Sequence, residues 1–460
     1  MLYTLRMGKK IRLLTLVFLI VAAIDSIRNL PATAIFGPSL IFFFLFSAIV
    51  FLFPISLIAA EFSSRYPEEG GVFHWVRNAL GETWAVVAIW LQWVNTMVWY
   101  PTILSFIAGT AAYLINPEWA QKKEFILSVV LIVFWGLTFL NMRGIYVSAF
   151  LNTVCACVGL IIPMGMLMAL GALWVLVGNP IQITFSLDTV FPTLKASQNW
   201  VSLIAIMAAF LGMELAGVHV TDILEPQKNF PKALGWSVFA LLFTMILGAL
   251  SIAIVIPQSQ IHLIDGMMQT FTLFFQAFHI PWFVPILTIF IIIGSIGGMI
   301  NWLVSPARGL LHAAERGFMP QFFAKKNRSG VPVRMLLVQA FLVTLFCLMI
   351  LFMPSINAFY WFLTALSTEL YMIMYILLFI SALKLGRPHT AFSYQIPKGL
   401  RRLSCVFGLF GCLLTIVVGF FLPSDINMNG LRYALYIGIG NVVLIAPVFS
   451  LMKYKKLFSS

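Results

Sequence analysis

The sequence predicts an all-α integral membrane protein of twelve transmembrane helices: a five-plus-five inverted repeat plus two C-terminal helices, with helices 1 and 6 broken. Three observations predict it. Of 460 residues, 61% are hydrophobic and 9% charged, against roughly 25% charged in a soluble domain. Twelve apolar stretches approach or exceed the length of about 20 residues needed to cross hydrocarbon. Two of them break beside charge, at Ile24-Asp25-Ser26-Ile27-Arg28-Asn29-Leu30-Pro31 and at Phe210-Leu211-Gly212-Met213-Glu214-Leu215-Ala216-Gly217.

In chain order, a basic tail (1–11) precedes span 1 at 12–35 and span 2 at 37–60. Between spans 2 and 3, Pro67-Glu68-Glu69-Gly70-Gly71 opens a short amphipathic helix over Val72–Leu80, with Pro and acids suited to a helix start. Spans 3 to 5 follow at 83–116, 124–141 and 144–177, closing a first repeat of 12–177. A polar loop at 178–199 leads to span 6 at 200–222 and span 7 at 231–256. The loop Pro257–Pro281 lacks Lys and Arg, and its Met267–Phe278 run reads as an interfacial helix. Spans 8 to 10 at 282–313, 333–352 and 356–383 complete a second repeat of 200–383. An odd number of spans per unit inserts the second upside down. Spans 11 and 12 occupy 402–422 and 430–452, within a unit of 402–452, and 453–460 forms a short tail.

The net charge of +13 reports topology. With the N-terminus inside, every Lys and Arg is cytoplasmic except Lys122, Lys123, Lys195, Arg432 and the membrane-embedded Arg28. That asymmetry places both termini in the cytoplasm and argues against a nucleic-acid partner. The basic start followed by an apolar run imitates a signal peptide, but Asp25 and Arg28 near its end and eleven further spans mark a retained helix. Cys155, Cys157, Cys347, Cys405 and Cys412 all lie within spans, so no extracellular disulfide framework is expected. No His, Cys or acidic spacing makes a metal site or a nucleophile triad, and no cofactor is expected. His219, five residues beyond Glu214, is either a gate or a structural histidine.

Depth along the spans puts Asp25, Arg28, Glu214 and Glu369 near the bilayer centre. Each charge there costs about 2.5–3.5 kcal/mol, so these groups face the interior, either as an ion-pair staple between spans 1 and 10 or as working groups. Broken helices suit a zwitterion: half-helix N-termini offer N–H groups to a carboxylate, and C-termini offer carbonyls to an ammonium. Gly212 and Gly217 let the second break open. Thr96, Trp99, Tyr100, Asn301, Trp302 and Tyr371 are candidates to complete a pocket, each with lipid-facing or core packing as the alternative reading. The expected partners are a small-molecule amino acid, protons and the lipid bilayer; the sequence sets no oligomeric state.

With these segments in place the chain resembles the amino acid–polyamine–organocation superfamily, and within it the bacterial glutamate:GABA antiporter family. The residues are Glu68-Glu69-Gly70-Gly71-Val72-Phe73-His74-Trp75-Val76; Gly212-Met213-Glu214 with His219-Val220 and Pro226-Gln227-Lys228-Asn229-Phe230-Pro231; Gly266-Met267-Met268-Gln269-Thr270-Phe271-Thr272; and Ser305-Pro306-Ala307-Arg308-Gly309 before Gly330-Val331-Pro332-Val333. The resemblance runs nearly end to end. It implies the leucine-transporter-type fold, alternating access at the cytoplasmic (inner) membrane, and exchange or proton-coupled movement of amino acids and their amines rather than catalysis. Substrate contacts carried over by position fall on Ile27, Arg28, Asn29, Leu30, Thr96, Trp99, Phe210, Gly212, Met213, Glu214 and Trp302, with Asp25, Glu214 and Glu369 in coupling or gating.

The chain also departs from the family. Arg28 stands in a segment where the antiporter carries tyrosine and glutamate, and Glu369 stands at an apolar position. A gating tryptophan falls on Ala208 and a lysine on Thr153. No C-terminal plug follows span 12. Arg28 is therefore assigned either to a substrate side-chain carboxylate or to a charge relay with Glu369. Proton- or sodium-driven symport is the alternative to exchange; a membrane sensor or enzyme is the alternative class.

Overall fold

The chain unwinds at the first of the two interrupted runs. A computed structural model describes residues 12–66, 71–143, 154–155, 157–192, 197–214, 223–328, 330–385, 395–424 and 426–458. In it α1 (Leu13–Ile24) stops at Asp25, whose backbone is extended at φ −62° and ψ 137°. A 3-10 turn over Ile27–Asn29 and α2 (Leu30–Ala34) follow. Leu13–Ala22 and Ile27–Ala34 are bent by 41° relative to each other. Pro31 sits in the first turn of α2, where its missing N–H is no loss.

The remaining helices are α3 (Ser39–Arg65), α4 (Val72–Leu80), α5 (Glu82–Ala112), α6 (Lys123–Met142), α7 (Cys157–Leu176) and α8 (Ser197–Ala209). They continue as α9 (Pro226–Ala253), α10 (Gly266–Ala277), α11 (Val284–Glu315), α12 (Val333–Leu348), α13 (Ile356–Lys384), α14 (Lys398–Gly419) and α15 (Gly430–Phe458). Among the described residues nine helices are long and apolar enough to cross a membrane, or ten with the bent pair counted as one span. α5 is absent from that set despite its 31 residues. Its Trp, Tyr, Gln and Asn side chains lower its hydropathy, and Trp90, Gln92, Trp93, Asn95 and Tyr100 are buried inside the bundle. α5 and α13 pack against each other as the central pair, with α11 and α14 against their flanks. On the periphery Trp236, Phe239 and Phe243 of α9 and Leu403, Val406 and Phe410 of α14 are exposed at helical spacing. Such a surface matches lipid, which rewards apolar exposure.

α7 and α11 meet through glycine. A Cβ on Gly159 would collide with the Gly294 backbone, and one on Gly297 with Cys155. With no hydrophobic effect between helices in lipid, such close backbone contact supplies the packing energy. Replacing Gly294 with Leu should lower stability by about 1–3 kcal/mol or more, as overpacking does. The check is thermal unfolding in detergent micelles; an unchanged midpoint would contradict the contact.

One expected element lies partly outside the described residues, and another is modified by the structure. Of span 5, residues 144–153, with Thr153, lie outside the described residues, and the continuous helix runs over Cys157–Leu176. The interfacial helix exists as α10, but Met267, Met268, Phe271 and Phe274 are fully buried. One face packs into the bundle, while Leu273, Gln276 and Ala277 on the other face are exposed. The reason is a polar latch at its N-terminus. Asp265 accepts hydrogen bonds from Gln121 Nε2 (2.9 Å) and the Tyr113 hydroxyl (3.1 Å), and its Oδ2 lies 3.2 Å from His262 Nδ1.

The hydrogen bond to Asp265 raises the His262 pKa above 6.5, against partial desolvation. A raised histidine stabilises the fold fully below the unfolded value of about 6.5 and loses that contribution as pH rises through the folded value. The melting difference between wild type and His262→Gln should therefore be larger at about pH 5.5 than at about pH 9. Equal differences at both would remove the charged latch.

Candidate functional site

Arg28 is held at the break between α1 and α2. Its Nη1 donates to Thr102 Oγ1 of α5 at 2.5 Å. The guanidinium carbon lies 4.9 Å from the centroid of the Trp99 ring, a cation–π contact. Tyr360 of α13 is close enough to sense the charge. Arg28 is 5% exposed, and its Nε has no acceptor. Among the described residues no carboxylate pairs with it. A buried guanidinium with idle donors is a binding element for an anion, because leaving it bare is costly.

Asp25, three residues earlier, is turned elsewhere. Its Oδ2 accepts from Thr244 Oγ1 of α9 at 2.8 Å, and its Oδ1 is buried without a partner. Ile27, Asn29 and Leu30 are buried around the turn.

The second polar level surrounds Glu214. α8 ends at Ala209; Phe210 to Gly212 turn, and Met213 and Glu214 continue as 3-10 backbone. Gly212 has φ 100°, a left-handed conformation that glycine adopts without strain. Its N–H donates to the Tyr375 hydroxyl at 3.0 Å, and that hydroxyl donates to Glu214 Oε2. Glu214 Oε1 accepts from the Tyr371 hydroxyl at 2.7 Å and from Gln92 Nε2 at 3.3 Å. Gln92 also donates to the Tyr371 hydroxyl at 3.2 Å. One carboxylate thus ties the turn after α8 to both central helices, α5 and α13. His219 and Gly217 lie outside the described residues.

The two levels share the same pair of helices. Gln92 and Thr102 are about 15 Å apart along α5 at 1.5 Å per residue, and Tyr371 and Tyr360 are spaced alike on α13. Thr96 lies between them, buried, with its hydroxyl donating to the Trp93 carbonyl at 2.6 Å. Phe210 and Met213 are fully buried, Phe210 edge-on to Phe44 at 5.7 Å. Asn301 and Trp302 lie on α11 with side chains outside the described set. Ala208 is half-buried at the end of α8.

The relay between Arg28 and Glu369 is not present. Glu369 Oε2 accepts from Asn441 Nδ2 of α15, and its Oε1 packs against Gly419 of α14. Residues two apart on a helix project about 160° apart, so Tyr371 faces Glu214 while Glu369 faces the opposite flank. The sequence reading missed Gln92, Thr102, Tyr375 and Asn441. A usable signal was present: Tyr371 and Tyr375 share a helix face at i, i+4, and Gln92 is one of two amides, with Asn95, in an otherwise apolar stretch of α5.

Among the described residues the bundle gathers a buried cation without a carboxylate partner and a buried carboxylate beside its central helices, an arrangement suited to carrying a solute. The chain belongs to the amino acid permease family, whose sequence model matches residues 11–443. It is similar to an uncharacterized transporter of Legionella pneumophila, 35% identical over 440 residues, covering 95% of each chain. It is similar also to a glutamate/gamma-aminobutyrate antiporter of Lactococcus lactis subsp. lactis, 31% identical over 432 residues, 92% of this chain and 86% of the relative. The counterpart of that antiporter in Lactococcus lactis subsp. cremoris is 32% identical over 341 residues, 73% of this chain and 68% of the relative. The protein is a multi-pass transporter of that family, a carrier rather than an enzyme.

Proposed function

We propose that this transporter exchanges amino acids across the bacterial inner membrane by alternating access, with an acidic amino acid such as glutamate as one substrate. The observation that carries the reading is the buried Arg28 guanidinium at the α1–α2 break, stacked on Trp99 with no carboxylate partner among the described residues. A substrate carboxylate supplies the missing charge and acceptors. Two relatives named for exchanging glutamate with gamma-aminobutyrate support the same chemistry.

In this reading the fold has twelve spans in two inverted five-span units plus two, with both termini cytoplasmic. The substrate sits between the Arg28 and Glu214 levels, contacting Ile27–Leu30, Thr96, Trp99, Phe210–Met213 and Trp302. A substrate ammonium or a proton on Glu214 loosens its bonds to Tyr371, Tyr375 and Gln92, and so frees the turn after α8 to move. Proteoliposomes loaded with unlabelled glutamate should take up labelled glutamate with no imposed ion gradient. Uptake that needs a proton or sodium gradient and is indifferent to internal amino acid would replace exchange with symport.

A further inference from the structure

A second polar island lies away from the Arg28–Glu214 axis, between α13, α14 and α15. Glu369 is 1% exposed, and among the described residues the only hydrogen bond to its side chain is the one that Asn441 Nδ2 donates to Oε2. Glu369 Oε1, Asn441 Oδ1 and the Tyr433 hydroxyl are all buried without a partner. Tyr433 is the titratable group that faces Glu369 from α15. α14 presents Gly419, so close that a Cβ there would collide with Oε1. Among the described residues no charged side chain faces Glu369 from α5, α13, α14 or α15.

The unpaired atoms decide what the island holds. An ionised Glu369 leaves two acceptors, Oε1 and Asn441 Oδ1, with one unused donor, the Tyr433 O–H. Native buried polar groups rarely stay unpaired. A single proton on Oε1 supplies the second donor, and it removes a bare charge from hydrocarbon depth. The neutral acid then donates O–H to Asn441 Oδ1 while Asn441 Nδ2 donates to Oε2, closing a two-bond acid–amide pair. A metal cation fits less well, because hard cations gather six or more oxygen ligands and the side chains of the island offer four.

We infer that Glu369 and Asn441 form a proton-binding site separate from the substrate site, joining α13 to α15. Loss of the proton leaves a carboxylate pressed against Gly419 and breaks one limb of the pair, so protonation sets how closely α15 packs on the helix that also carries Tyr371 and Tyr375.

The test uses the full chain in nanodiscs. Infrared difference spectra of wild type minus Glu369→Gln at about pH 7 should contain a protonated carboxyl C=O band that shifts in deuterium oxide, and Asn441→Leu should move its frequency. In wild type alone, dicyclohexylcarbodiimide, which attacks buried protonated carboxyls, should label Glu369 in peptide mass spectra. The labelling should fall by about tenfold or more from about pH 6 to about pH 9. Absence of both the band and the adduct at acid pH would overturn the proposal. So would protection of Glu369 from the reagent by sodium chloride but not by choline chloride, which would make the island a cation site. The carbodiimide arm stands even if Glu369→Gln fails to fold, and neither arm depends on which amino acid is transported.

Discussion

Exchange by the Glu214→Gln protein is expected to fall by about a hundredfold, with the folded protein still recoverable from the membrane. Glu214 accepts three hydrogen bonds, from Tyr371, Tyr375 and Gln92, and Tyr375 in turn holds the Gly212 N–H. Glutamine has the same shape but brings an N–H₂ where an acceptor stood, so at least one buried hydroxyl loses its acceptor. An unsatisfied buried donor costs about 1–3 kcal/mol, which is a factor of about 5 to 150 in any step that remakes the arrangement. The neutral amide also cannot bind a proton or pair with an ammonium. Any exchange that remains should therefore lose the part of its pH dependence that Glu214 carries. Tyr375→Phe should give a milder loss, since Glu214 keeps Tyr371 and Gln92. Wild-type exchange with wild-type pH dependence in Glu214→Gln would remove the residue from the transport cycle.

Arg28→Met should have the second largest effect, and it should be selective. If the guanidinium receives a substrate carboxylate, its loss removes charge-assisted bonds worth about 1.5–3 kcal/mol. Exchange of acidic amino acids should weaken by about 10- to 150-fold, while that of neutral ones changes little. Arg28→Lys should not restore it, because a lysine cannot both stack on Trp99 and reach Thr102 with a planar fork. Stability separates this role from a structural one. A guanidinium that stabilises the bundle would lower the unfolding midpoint when removed. A buried cation awaiting a ligand would leave it unchanged or raise it, since an unpaired buried charge is a burden on the empty fold. An unchanged substrate profile in Arg28→Met would refute the assignment.

Much of this was legible in the residues. Asp25, Pro31 and the charge between them predicted an interruption, because an apolar helix has no reason to carry them otherwise, and the chain unwinds at Asp25. Glu214 was singled out by its depth and by Gly212, whose φ of 100° shows why a glycine is needed there. Helix rotation was not legible. Counting along span 10 gives the depth of Glu369 but not its azimuth, and the partner proved to be Asn441 rather than Arg28. The fate of Met267–Phe278 was hidden for a related reason. Its apolar face fits lipid or protein equally, and the choice is made by Tyr113 and Gln121 reaching Asp265 from distant parts of the chain. Long-range pairings of that kind leave no local mark.

The most direct measurement is an electron cryomicroscopy map of the protein in nanodiscs with saturating glutamate. Density for the amino acid should lie between Trp99 and Glu214, with its side-chain carboxylate against Arg28 and the turn after α8 displaced from Tyr375. A ligand bound elsewhere, with Arg28 still bare on Trp99 and all three bonds to Glu214 intact, would contradict the mechanism.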